Sequence, residues 1–126
     1  MNFLELRTRL ESIEGTKLTK LDSTKACDLG TPKAYRTFLQ EVGYGRIGGS
    51  QFQFYDGVVF ADEILGSRDA TTEHILIFGD DYQGSCVGFD RNTWKVVRVL
   101  SDHKVLPVAD SFEDFLEVLF EGKRLN

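Results

Sequence analysis

The sequence predicts an α+β domain in which N- and C-terminal helices pack on a single antiparallel β-sheet. Three observations carry that prediction. Apolar residues recur at three- and four-residue spacing near both ends of the chain, the mark of amphipathic helices. Between them lie several short apolar or alternating runs bounded by turn residues, which read as strands. The connections between those runs are short and contain Gly and Asp, which suits an antiparallel meander rather than parallel crossover units. At 126 residues the chain fits one domain, residues 1–126, around one core.

Phe3, Leu6, Leu10 and Ile13 form the first apolar stripe, with Glu5, Arg7, Arg9 and Glu11 between them and Gly15 at its end. Leu18 and Leu21 read as locally packed residues of an irregular or short helical link. Thr31-Pro32 is a helix start, since Thr31 can cap and Pro32 sits where its missing N–H costs nothing. Tyr35, Phe38, Leu39 and Val42 make the apolar face of this second helix, and Gly43 stops it. The stretch Gly43–Gly49, with four glycines in seven residues, reads as a loop.

Gln51-Phe52-Gln53-Phe54-Tyr55 alternates and puts Phe52 and Phe54 on one face of a strand. Asp56-Gly57 is a turn dipeptide of the hairpin kind, after which Val58-Val59-Phe60 resumes extended structure. Asp62–Gly66 predicts a helical turn. The continuous apolar run His74–Gly79 predicts a central, well-buried strand, Asp80–Gly84 its turn and Ser85–Asp90 the return strand. Arg91-Asn92-Thr93 turns the chain again into a strand over Trp94–Leu100. The last helix opens at Asp110-Ser111-Phe112-Glu113, where Asp or Ser caps and an acidic residue follows three positions later. Phe112, Phe115, Leu116, Leu119 and Phe120 form its stripe, and Gly122 closes it.

Hydrophobic residues at 41% and charged residues at 28% are ordinary globular values, so neither a disordered nor a membrane-embedded chain is indicated. The N-terminal run is interrupted by Glu5 and lacks the pattern of a secretory signal. No stretch approaches the roughly 18 uninterrupted apolar residues of a membrane span. A soluble, cytoplasmic protein is expected. Cys27 and Cys86 are expected to stay reduced, and no close Cys/His spacing suggests a metal site. The net charge of −5, with its acidic excess mostly in the second half, argues against direct nucleic-acid binding and suits a basic protein partner.

The search for catalysis yields little. There are two histidines: His74 leads into an apolar strand and His103 sits among loop residues. A Cys86–His74 pair on neighbouring strands is conceivable, but no third group is placed to orient it. The glycine loop has no Lys-Ser/Thr pair and follows a helix, where a phosphate cradle follows a strand. Asp80, Asp81 and Asp90 fall at the two ends of the predicted hairpin and match no EF-hand spacing. As aspartates they favour turns, and they also offer an acidic edge to a partner. Tyr82, between Asp81 and Gln83 in a tight turn, is hard to bury, and an aromatic residue amid acids suits a binding hot spot. The expectation is therefore a protein-binding domain without cofactor or catalytic residues. Asp80, Asp81, Tyr82 and Asp90 are its first candidate contacts, and Tyr44 and Arg46 of the glycine loop the second.

Four motifs, taken in order and spacing, resemble a known family. Pro32-x-x-Tyr35-x-x-Phe38-Leu39 runs into Gly43-Tyr44-Gly45; Ile77-Phe78-Gly79-Asp80-Asp81-Tyr82-Gln83-Gly84 follows, then Val87-x-Phe89-Asp90, then Ala109–Leu116. Together they resemble the SUKH superfamily, which includes the yeast cell-wall-synthesis regulator and many bacterial toxin-immunity proteins. Two positions depart from it: Val42-Gly43-Tyr44-Gly45 stands where the family often has Asn-Gly-Gly, and Ser85 where an acidic or amide residue often follows the hairpin glycine. The resemblance implies an α+β domain with an antiparallel sheet and no catalytic residues. It also implies that stand-alone bacterial members bind and neutralise polymorphic toxins, frequently nucleases. The leading expectation is an immunity protein, monomeric or weakly dimeric, that binds a basic toxin domain. A regulatory or scaffold module is the second reading, and a metal-assisted hydrolase using the Asp cluster a distant third.

Overall fold

The computed structural model describes residues 2–21, 30–48 and 52–120. In chain order they form α1 (Phe3–Glu11), β1 (Lys17–Thr19), α2 (Lys33–Glu41), β2 (Tyr44–Ile47), β3 (Phe52–Phe60), α3 (Ala61–Leu65), β4 (Ile75–Asp80), β5 (Ser85–Asp90), β6 (Val96–Leu100), β7 (Val105–Ala109) and α4 (Phe112–Phe120). The seven strands make one sheet in sequence order β1 to β7, every neighbour antiparallel. The α+β class and the meander are as the sequence implied.

Local chemistry accounts for the helices. The Asn2 side chain accepts from the N–H groups of Leu4 and Glu5 and caps α1, which buries Leu6 and Leu10. Ile13 lies past the helix end and is 39% exposed. Pro32 rather than Thr31 occupies the cap position of α2, with no side-chain cap bond, and Thr31 is buried instead. Tyr35, Phe38, Leu39 and Val42 are all buried, as their spacing predicts. The Arg7 guanidinium donates to the Val42 carbonyl and ties α1 to the end of α2. The Ser111 hydroxyl accepts from the Asp114 N–H at 3.1 Å and starts α4, which buries Phe112, Phe115 and Leu116. The predicted stop at Gly122 lies outside the described residues, as does Cys27.

The two faces of the sheet are unequal. On one, Phe52, Phe54, Phe78, Val87 and Phe89 meet Tyr35, Phe38, Phe112 and Phe115 of α2 and α4 in a single cluster. The rings pack mostly edge to face: Phe78 lies 5.4 Å from Phe112 at 86°, and Tyr35 lies 5.4 Å from Phe89 at 77°. On the other face a smaller cluster of Ala61, Ile75, Ile77, Val97 and Val99 sits beneath the five-residue α3. Beyond α3 no described helix covers that face.

Several expectations are corrected. The supposed link at Leu18 is strand β1, paired to β2 with Leu18 opposite Gly45. The glycine stretch is not only a loop, because Tyr44–Ile47 is β2. Its glycines serve close approach between backbones: a side chain on Gly43 would meet the Thr19 carbonyl, and one on Gly45 the Lys17 carbonyl. Asp56-Gly57 does not turn a hairpin. It lies inside the nine-residue β3, where the register to β4 shifts between Phe54 and Val59 and absorbs it. Trp94 stands at φ 59 in the turn before β6, with its N–H bonded to the Asp90 carbonyl, so that strand begins at Val96. Residues 105–109 carried no prediction. They form β7, where Pro107 is accommodated because the strand is at the sheet edge.

Candidate functional site

The turn between β4 and β5 is built by its own aspartates. Asp80, the last residue of β4, accepts the Tyr82 N–H on Oδ1 at 3.0 Å and the Tyr55 hydroxyl on Oδ2 at 2.7 Å. Asp81 Oδ1 accepts the N–H groups of Gln83 at 2.9 Å and Ser85 at 3.2 Å. These are side-chain-to-backbone bonds of the kind that make Asp a turn residue. They hold Tyr82 at φ 62, where the residue is 43% exposed. Two carboxylates and an exposed phenol ring are thus fixed together at one end of the hairpin.

Asp80 and its cross-strand neighbours define the local electrostatics. Burial, and then the Asp80 carboxylate, push the Tyr55 phenol well above its ordinary range. Cys86 pairs across from Asp80 and is half-buried. Burial, followed by the charges of Asp80 and Asp81, pushes its thiol up. A thiol held protonated in this way is a poor nucleophile.

The other predicted residues are distributed as follows. Asp90 pairs with Ile75 at the far end of the same hairpin, about 17 Å away by strand rise. There it accepts the Asn92 N–H at 2.8 Å and lies 3.6 Å from His74 Nε2. The structure therefore gathers Asp80, Asp81 and Tyr82 and leaves Asp90 apart. The same register puts His74 and Cys86 at opposite ends of the hairpin. Arg46 is opposite Gln53, and Gln53 opposite Asp80, so the three stand in one row across the sheet. The Arg46 side chain leans away, its Nε donating to the Gly15 carbonyl at 3.3 Å. Tyr44 packs at the margin of the main core and borders a groove of about 540 Å³, lined also by Gly45, Gln53, Phe54, Tyr55, Asp56, Val59 and Ile64. Sequence reasoning missed this groove, although the alternation that sends Phe52 and Phe54 inward already sends Gln53 and Tyr55 to the opposite face.

A second polar network was also missed. Thr72, fully buried, donates its hydroxyl proton to Asp62 Oδ1 at 2.6 Å. Its oxygen must then accept from His103 Nδ1, 2.9 Å away, and His103 Nε2 lies 2.9 Å from the Ser67 hydroxyl. The order hydroxyl–imidazole–acid has the outline of a hydrolytic chain. Here, however, a threonine rather than a carboxylate orients the imidazole. The chain clamps the loop after α3 to the turn between β6 and β7. Among the described residues no group of three His, Cys, Asp or Glu is placed to hold a metal ion. None of their helices is long and apolar enough to cross a membrane.

A seven-stranded antiparallel meander with α1, α2 and α4 on one face, the short α3 on the other and an acidic, aromatic turn at one end defines an α+β domain. The family model SUKH_6, described as SMI1-KNR4 cell-wall, matches residues 25–116, from ahead of α2 into α4, and the chain belongs to that family. No curated protein and no solved structure matches it.

Proposed function

We propose that the chain is a non-catalytic immunity protein that acts in the cytoplasm by binding the basic surface of a toxin domain. The observation that carries this reading is the Asp80-Asp81-Tyr82 turn, where charge and an exposed aromatic ring are preorganised by hydrogen bonds. A rigid acidic edge speeds and orients encounter with a basic partner, and an exposed tyrosine supplies contact area at small entropic cost. The net charge of −5 and the SUKH resemblance support the same reading.

The test is first whether a secreted protein with a variable C-terminal domain is encoded beside this chain, and then co-expression with that domain, scored by survival and by affinity. Lysine at positions 80 and 81 would break the turn as well as reverse the charge. Asp80→Asn with Asp81→Asn removes the charge and keeps the oxygens that accept the backbone N–H groups, giving up only the Asp80 oxygen that accepts the Tyr55 hydroxyl, and is the cleaner change. The double variant is expected to bind at least tenfold more weakly, with less dependence on salt. Tyr82→Ala should lose about 2 kcal/mol of binding. Wild-type affinity in both variants would remove this surface from consideration. A wild-type chain that gives no protection would overturn the immunity reading in favour of a regulatory or scaffold module. The cell-wall description of the matching family keeps that second reading in view.

A further inference from the structure

We propose that the groove between β2, β3 and α3 is a receptor for an arginine side chain carried on an extended basic segment of the partner, a proposal that rests on the reading of the chain as a partner-binding module. The groove lies on the sheet face that α1, α2 and α4 leave open. At about 540 Å³ it falls within the roughly 300–1,000 Å³ of sites that enclose small groups, so it has room for more than one side chain. Tyr44, Tyr55 and Val59 give it an aromatic and aliphatic wall, and Ile64 stands 40% exposed on its rim.

Its charge is one-sided. The lining carries one carboxylate, Asp56, and no base. Asp80, Asp81 and Asp90 are each engaged by backbone N–H groups. The exposed Asp56 side chain forms no hydrogen bond or ion pair among the described residues. Arg46, the nearby cation, is turned toward the Gly15 carbonyl and is not part of the lining. The site therefore presents an unengaged negative charge beside two tyrosine rings. A planar guanidinium fits that combination, since it can stack on an aromatic face while its N–H fork meets a carboxylate. The Tyr55 hydroxyl bond to Asp80 fixes the ring between the groove and the acidic turn, joining the two into one surface. A basic segment crossing from the turn to the groove would meet Asp81, Tyr82 and Asp56 in succession.

The test is an NMR titration of the isotopically labelled full chain with a nine-residue Gly/Ser peptide centred on arginine, and with the same peptide carrying uncharged citrulline. Shifts are expected at Tyr44, Gln53, Asp56 and Ile64, with at least tenfold weaker binding of the citrulline peptide. Asp56→Asn, at an exposed position with no partner to lose, should weaken the arginine peptide at least fivefold. Equal binding of the two peptides, indifference to Asp56→Asn, or shifts confined to Tyr82 would each overturn the proposal. The peptide measurement does not involve the toxin, so the two readings fail separately. A chain that gives no protection yet takes the arginine peptide in the groove keeps this proposal and loses immunity. A toxin bound by Asp56→Asn at wild-type affinity does the reverse.

Discussion

Asp80 receives a backbone N–H on one oxygen and a phenol on the other, so its charge is aimed rather than loose. Tyr55→Phe leaves one of those oxygens without its partner and should cost about 1 kcal/mol in urea unfolding. The phenol also sets an alkaline limit. Burial and Asp80 raise its ionisation above the ordinary value of 10.0, so the folded chain keeps a proton that the unfolded chain releases. That stabilisation is complete below pH 10 and is lost as pH rises beyond it. Unfolding measured between pH 9 and pH 11 should therefore fall more steeply for the wild type than for Tyr55→Phe. Gly45 and Gly84 both have positive φ, 129° and 91°, but only Gly45 has a neighbouring carbonyl where a side chain would go. Gly84→Ala should cost about 1–2 kcal/mol from backbone strain alone, and Gly45→Ala clearly more, because β1 must also move. Equal losses would show that β1 yields freely.

The clamp built on Thr72 acts on elements. It joins two loops that share no strand, one following α3 and one between β6 and β7, through Asp62, Thr72, His103 and Ser67. Thr72→Val keeps the shape and removes both bonds, leaving Asp62 and His103 short of a partner at a cost of about 1–3 kcal/mol. Amide exchange should quicken in residues 66–74 and 101–104 while β4 and β5 stay protected. Quickening across the whole sheet would mean that the clamp supports the fold rather than the loops. The half-buried Asp69 adds a minor acid sensitivity. Its bonds from Thr71 hold its carboxyl below the ordinary range, so that contribution is present above about pH 4 and fades as pH falls.

The molecule as a whole is held from one side. Phe78 stands at the centre of the larger cluster, its ring within 5.0–6.1 Å of Phe89, Phe115, Phe112, Tyr35 and Phe54. Phe78→Ala should cost about 3–5 kcal/mol, a large part of the ~5–15 kcal/mol typical of a domain, and thermal melting will show it. The smaller cluster beneath α3 gathers far fewer buried residues, and no described helix covers the rest of that face.

How much of this was legible follows from the range of the interactions involved. Side-chain periodicity alone settled α2 and α4, the buried strand β4, its return β5 and hence the α+β class, because which face is apolar depends only on spacing along the chain. The Asp80-Asp81-Tyr82 turn was legible for the same reason, as its bonds span two to four residues. The strands β1, β2 and β7 were not. A glycine or proline carries no face, and whether its backbone joins a sheet depends on a neighbour brought from elsewhere in the chain. Asp56-Gly57 shows the conflict directly: local turn chemistry lost to the pairing of β3 with β4, residues 16 to 27 positions away, from Phe60↔Leu76 to Gln53↔Asp80. The Tyr55–Asp80 bond and the Thr72–His103 clamp likewise join residues 25 and 31 positions apart, and the groove gathers residues from Tyr44 to Ile64. Only folding brings those groups within reach, because a hydrogen bond acts over about 3 Å whereas sequence pattern records only direction along the chain.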